Sequence, residues 1–148
     1  LGGRGRGFKP TLLAAVENPV TGEREEVAPR PLPPLQLSPR QVEEAVDSMV
    51  AVMHGSRGTA RASAAGAPWT IAGKTGTAQV VGIAQGEEWD SETVDERHWP
   101  HALFIAFAPA ENPRIAIGVL VENGASGSGA AAPVARAVMD QWLLREGD

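Results

Sequence analysis

The stretch Trp69-Thr70-Ile71-Ala72-Gly73-Lys74-Thr75-Gly76-Thr77-Ala78-Gln79-Val80-Val81 sets β-branched residues at both ends of a run with glycines inside it. β-Branched residues favour a pleated backbone, whereas interior glycines weaken a strand and often mark close approach of a ligand or another backbone. On a strand over 69–81, Lys74, Gly76 and Ala78 share one face, and Thr75 and Thr77 share the other. Lys74 then supplies a positive charge, the two threonine hydroxyls can hold a carboxylate, and Gly76 removes side-chain bulk beside the backbone. A free backbone N–H on such a strand can serve as an oxyanion donor, a role whose loss typically costs about 10²–10³ in rate. Lys9 and Lys74 are the chain's only lysines, so a lysine between glycines is conspicuous. Two rival roles fit the same residues. A lysine on an edge strand also discourages aggregation, with no ligand involved. Gly-Lys-Thr also closes a phosphate-binding loop, but that motif needs a glycine where Pro68 stands, and its lysine opens a helix rather than a strand.

Downstream, His101 to Ala108 and Ile115 to Val121 are almost wholly apolar, with the turn Pro109-Ala110-Glu111-Asn112-Pro113 between them. Segment 101–121 therefore predicts a hairpin of two buried strands, antiparallel because the connection is short. Upstream, Ser38 can cap a helix, Pro39 suits its first position, and Gln41 stands where a capping box needs it. Val42, Ala45, Val46, Met49, Val50 and Met53 then recur at helical spacing before Gly55, predicting a helix over 38–54. Ser56 to Pro68 is small and polar, a loop with room for one helical turn. Ala131, Val134, Ala135, Val138, Met139, Trp142 and Leu143 predict a last helix over 130–145. Residues 1–37 divide into a hairpin, with arms near 8–16 and 23–27, and a linker rich in proline (Pro29, Pro31, Pro33, Pro34). Segment 82–100 is a long acidic loop, a length that usually means function or disorder. The sum is an α+β arrangement: an antiparallel sheet of three main strands packed by helices.

Composition narrows the function. A chain of 148 residues is one domain's worth and can bury a real core. Thirteen basic residues against eighteen acidic ones give a formal charge of −5, which argues against a nucleic-acid binder. The absence of cysteine excludes disulfide scaffolds and cysteine-ligated zinc. Three scattered histidines predict no metal site, and no cofactor is expected. No apolar run approaches the ~20 residues of a membrane helix. The opening Leu1-Gly2-Gly3-Arg4 has neither an initiator methionine nor a signal-peptide core, so the chain is expected to be a piece of a longer protein.

Lys-Thr-Gly is also a signature of β-lactamases and penicillin-binding proteins. The likeness extends from Gly73-Lys74-Thr75-Gly76-Thr77-Ala78-Gln79 to Phe104-Ile105-Ala106-Phe107-Ala108-Pro109. It continues through Ala116-Ile117-Gly118-Val119-Leu120-Val121-Glu122-Asn123-Gly124 to Ala130-Ala131-Ala132-Pro133-Val134, in that order. Lys9-Pro10-Thr11-Leu12-Leu13 and Gly58-Thr59-Ala60 fit as well. The chain resembles the C-terminal part of a class B penicillin-binding transpeptidase, most of all the elongation type, penicillin-binding protein 2, over nearly its whole length.

That resemblance implies a peptidoglycan D,D-transpeptidase. A serine attacks the carbonyl before the terminal D-alanine of a stem peptide, and a neighbouring strand's amine resolves the acyl-enzyme; β-lactams trap the serine. Lys74 matches the lysine of the electrostatic and proton network. Thr75 and Thr77 match the hydroxyls that bind the substrate or β-lactam carboxylate, the Thr77 N–H matches an oxyanion donor, and Gly76 matches the glycine that leaves room for substrate. The family also needs Ser-x-x-Lys and Ser-x-Asn. Ser38, Ser48, Ser56, Ser63, Ser91, Ser126 and Ser128 fit neither pattern. A serine without an adjacent base is a weak nucleophile at neutral pH, so the chain alone is expected to be inactive. The missing motifs, two of five sheet strands and a membrane anchor would lie upstream, placing the parent on the periplasmic side of the inner membrane. The expected partners are the stem peptide, β-lactams and the upstream half, with dimerisation through an exposed sheet edge when that half is absent. The alternative is a non-catalytic peptide- or carboxylate-binding module.

Other polar residues invite plainer roles. His101 is a candidate acid–base group, yet a hydrogen-bonded structural histidine accounts for it better. His54 favours the dipole at a helix C-terminus. Glu122 and Asn123 suit a hydrogen-bonded strand end. Trp69 and Trp142 are expected as core anchors, and Trp89 and Trp99 as packing residues of the acidic loop.

Overall fold

The computed structural model describes residues 1–80 and 94–145. The centre of the acidic segment 82–100, with Trp89, lies outside the described residues. Strands β3 (Ala72–Ala78), β4 (His101–Ala108) and β5 (Ile115–Val121) form one antiparallel sheet in the order β3-β4-β5. Opposite Lys74, Thr75, Gly76 and Thr77 of β3 stand Ile105, Phe104, Leu103 and Ala102 of β4. Phe104 in turn faces Val119 of β5. The fold is thus α+β, an antiparallel three-stranded sheet packed by helices.

The inner face carries Phe104, Ala102, Ala106 and Ala108, all buried, and meets α2 (Arg61–Ala64), α3 (Ala132–Arg145) and Met53 at the end of α1 (Pro39–His54). The small residues on both sides matter. Ala131, Ala132 and Ala135 bring the start of α3 close to the alanines of β4. The outer face is different: Ile105 is 55% and Leu120 57% exposed. Helix α1 packs Val46 and Met49 on Ala72 and Phe107 in a second, smaller cluster, so it covers only the first part of β3.

Helix α1 begins with a complete capping box. The Gln41 N–H donates to Ser38 Oγ at 3.3 Å, and the Ser38 N–H donates to Gln41 Oε1 at 2.8 Å. Ser38→Ala is expected to lower the unfolding free energy read from chemical denaturation by about 1 kcal/mol, the usual cost of an N-cap. At its other end, Gly55 is the C-cap, and the Ile71 N–H donates to His54 Nε2 at 2.9 Å. His54 therefore has a role beyond the helix end: it accepts a hydrogen bond from the residue that leads into β3.

The last helix differs from its expected form in two ways. A π-type turn over Gly127–Ala131, capped by Ser126 Oγ, precedes α3. Trp142 is 51% exposed and is not a core anchor. Ala135, Met139 and Leu143 face the sheet instead, and Val134, Val138 and Trp142 form the neighbouring stripe toward solvent. Arg136 fastens α3 to α2, pairing with Asp140 at 2.6 Å and donating to the carbonyls of Ser63 and Ala65.

The N-terminal ribbon pairs over a shorter length than the expected arms near 8–16 and 23–27. Only β1 (Ala15–Glu17) and β2 (Arg24–Glu26) pair as strands, with an isolated bridge between Phe8 and Pro31. Proline lacks the N–H a ladder needs, and Pro10, Pro29 and Pro31 fall where the ladder would continue. Arg4 ties this ribbon down, pairing with Glu43 at 2.9 Å and donating to the Ala110 carbonyl at 2.9 Å. The turn after β4 is held by the Ala110 N–H donating to the Thr70 carbonyl. A hydrogen bond from the Thr70 side chain holds the Glu111 carboxyl below its ordinary range. Among the described residues no helix is long and apolar enough to cross a membrane.

Candidate functional site on an edge strand

Strand β3 changes character along its length. Ala72 and Gly73 are buried, Thr75 and Gly76 are half-buried, and Lys74, Thr77 and Ala78 are exposed. Its pairing with β4 leaves the other edge without a strand partner among the described residues. Pleating puts Lys74 on the outer face with Ile105, and Thr75 and Thr77 on the inner face with Phe104 and Ala102. The four candidate residues thus occupy consecutive positions on one accessible edge, with charge and hydroxyls on opposite sides of a backbone whose outward N–H groups are available.

Gly73 makes room for the core: an added Cβ would lie 2.6 Å from Phe104 Cζ and 2.8 Å from Met53 Sδ. Gly76 is looser, since a Cβ there would meet Leu103 Cβ at 3.3 Å. Lys74 Nζ donates to the Thr75 carbonyl, curling along its own strand. Thr75 Oγ1 lies 3.4 Å from Thr59 Oγ1, in the turn between α1 and α2.

The far end of β3 is closed by hydrogen bonds. His101, opposite Ala78, accepts the Asn123 N–H at Nδ1, 3.0 Å away. Asn123 Nδ2 donates to the carbonyls of Arg97 (2.9 Å) and Trp99 (3.0 Å), while Trp99 Nε1 donates to the Val94 carbonyl. His101 and Asn123 therefore brace the segment that re-enters the sheet, the structural role their positions suggested. Among the described residues no group of three or more His, Asp or Glu side chains could hold a metal ion.

A three-stranded antiparallel sheet packed by helices, with Lys-Thr-Gly on a strand edge that no other strand among the described residues covers, defines a penicillin-binding type of domain. The chain belongs to the family described as the penicillin binding protein transpeptidase domain, whose model matches residues 3–140. It is 36% identical over 136 residues to the peptidoglycan D,D-transpeptidase MrdA of Haemophilus influenzae, covering 90% of this chain and 20% of that protein. Among solved structures, penicillin-binding protein 2 of Pseudomonas aeruginosa in complex with WCK 5153 is 47% identical, with a TM-score of 0.65 over 81% of this chain and 24% of that one. The imipenem acyl-enzyme of penicillin-binding protein A from M. tuberculosis is 29% identical, with a TM-score of 0.70 over 96% of this chain and 28% of that one. The likeness to penicillin-binding protein 2 is thus borne out. The chain spans about a fifth of the length of the Haemophilus relative.

Proposed function

We propose that this chain supplies the Lys-Thr-Gly wall of a peptidoglycan D,D-transpeptidase active site. The supporting observation is the edge of β3: Lys74 is exposed on one side, Thr75 and Thr77 line the other, and no strand among the described residues covers them. In this reading the hydroxyls of Thr75 and Thr77 bind the terminal carboxylate of a stem peptide or a β-lactam. Gly76 lets the peptide lie against the strand. The Thr77 N–H donates to the oxygen that gains negative charge as the scissile carbonyl becomes tetrahedral, and a fixed donor there favours the transition state over the ground state. Lys74 contributes positive charge and a proton donor at the outer side of the edge. The nucleophilic serine and its activating lysine come from the upstream half of the domain, so this chain alone is inactive. The same reading places the parent enzyme on the periplasmic side of the bacterial inner membrane. The exposed outer face around Ile105 and Leu120 fits a contact with that upstream half, or with a second copy when it is absent.

Fluorescent-penicillin labelling tests this reading. The chain is labelled alone and with a separately made upstream half carrying Ser-x-x-Lys. Label is expected on the upstream half, and only when this chain is present. An adduct on this chain alone would refute the split site, because one of its own serines would then be activated. No label on halves that co-purify would favour the carboxylate-binding module instead.

A further inference from the structure

Thr59 lies outside the Lys-Thr-Gly motif, sixteen residues before the threonine it touches. Its position is fixed on both sides. Gly58 folds so tightly against the end of α1 that an added Cβ would fall 2.4 Å from the Val52 carbonyl oxygen and 2.7 Å from that of Ala51. Ala60 is buried, and its N–H donates to the same Val52 oxygen at 3.1 Å. Between these anchors the Thr59 hydroxyl sits at the inner side of β3, with Oγ1 3.4 Å from Thr75 Oγ1; Thr59 is exposed and Thr75 half-buried.

We infer that Thr59 is a positioning residue for carboxylate recognition: it donates its hydroxyl proton to Thr75 Oγ1 and so commits the Thr75 proton to the ligand. The inference rests on the carboxylate-binding role proposed above for Thr75. The direction follows from donor counting. A threonine hydroxyl has one proton and two acceptor lone pairs, and an ionised carboxylate can only accept. Thr75 cannot give its single proton to both Thr59 and the ligand. With a carboxylate bound, the contact between the two threonines persists only if Thr59 is the donor. The resulting chain O–H···O–H···O⁻ ends on a charge, and each bond polarises the next. Without Thr59, the Thr75 hydroxyl rotates among water partners and must be ordered when the ligand arrives.

The test is a double-mutant cycle in the enzyme assembled from this chain and the upstream half, read by benzylpenicillin acylation kinetics. Thr59→Val removes the donor while keeping the branched shape. It is expected to weaken the binding constant about three- to tenfold with the acylation step little changed, the scale of one hydrogen bond. Thr59→Ser is expected to restore it. In a Thr75→Val background, Thr59→Val is expected to cost nothing further, because the hydroxyl it serves is gone. The methyl ester of benzylpenicillin, which lacks the carboxylate charge, is expected to lose the distinction between wild type and Thr59→Val. Equal losses in the two backgrounds, or equal losses for acid and ester, overturn the inference and leave Thr59 a packing residue. An unchanged binding constant for Thr59→Val alongside lost labelling with Lys74→Ala overturns this inference alone, whereas labelling that survives Lys74→Ala strikes the transpeptidase reading.

Discussion

Lys74→Ala is expected to cut penicillin acylation of the assembled enzyme at least about a hundredfold, while the thermal melt of this chain stays where it was. The separation of the two effects is the point. Lys74 is exposed, and its Nζ donates to the carbonyl of the next residue in its own strand. Truncating such a surface side chain changes stability by no more than about 0.5 kcal/mol. Any large loss must therefore come from the chemistry. In the proposed role Lys74 is a fixed positive charge beside the reacting groups; such a preorganised charge is worth more in a closed site than in water, and removing one electrostatic group of this kind costs about 10²–10³ in rate. Lys74→Arg keeps the charge but replaces a compact ammonium by a planar fork, so it is expected to fall between the two. Rapid labelling is followed by gel fluorescence and folding by circular dichroism. Labelling that survives Lys74→Ala would sink the proposed role.

Most of the sheet could be foreseen because its signals are local and redundant. Strands β4 and β5 are continuous apolar runs joined by a turn with proline at each end, and α1 carries both a capping box and a single buried stripe. What sequence could not supply was the third dimension. Helix α3 has two adjacent apolar stripes, and helical spacing is the same for both. Only the alanines on β4 decide that Ala135, Met139 and Leu143 face inward rather than Val134, Val138 and Trp142. The ribbon at the N-terminus shows the opposite failure. The sequence suggested hairpin arms near 8–16 and 23–27, but the prolines remove donors that would extend the ladder beyond three residues on each side.

The site divides along the same line. Alternation along a strand places Lys74 opposite in sense to Thr75 and Thr77 without any coordinates. The glycines were ambiguous. Gly73 and Gly76 look alike in the motif, yet one makes room for Phe104 and Met53 while the other stands against Leu103 near the open edge. Thr59 carried no signal of its own, because a contact between residues so far apart in the chain depends on how the end of α1 folds back under β3. The nearest hint was the tight sequence Gly58-Thr59-Ala60.

The other large effect is expected at Gly127, far from the motif in sequence but packed against it. Gly127→Ala should cost about 3 kcal/mol and lower the melting temperature of this chain by about 10 °C, given roughly 3 °C per kcal/mol for a chain of this length. The π-type turn crosses the inner side of the sheet at the level of Gly76. An added Cβ would lie 2.3 Å from the Leu103 carbonyl oxygen, 2.6 Å from the Gly76 oxygen and 3.0 Å from the Gly76 nitrogen. All three are backbone atoms of β3 or β4, so no rotamer change can relieve the clash. The turn must lift or the strand must shift. Ser126, which caps the turn, and Ala131, which enters the core, resist the first movement. A shift of β3 would carry Gly76 and Thr77 with it, so labelling of the assembled enzyme is expected to fall together with stability. Gly118→Ala is the control. A Cβ there meets only Ile105 Cγ2 at 3.9 Å on the exposed outer face, and it is expected to stay within about 0.5 kcal/mol of wild type. A melt for Gly127→Ala no lower than that of the control would mean that the turn does not press on the Lys-Thr-Gly strand at all.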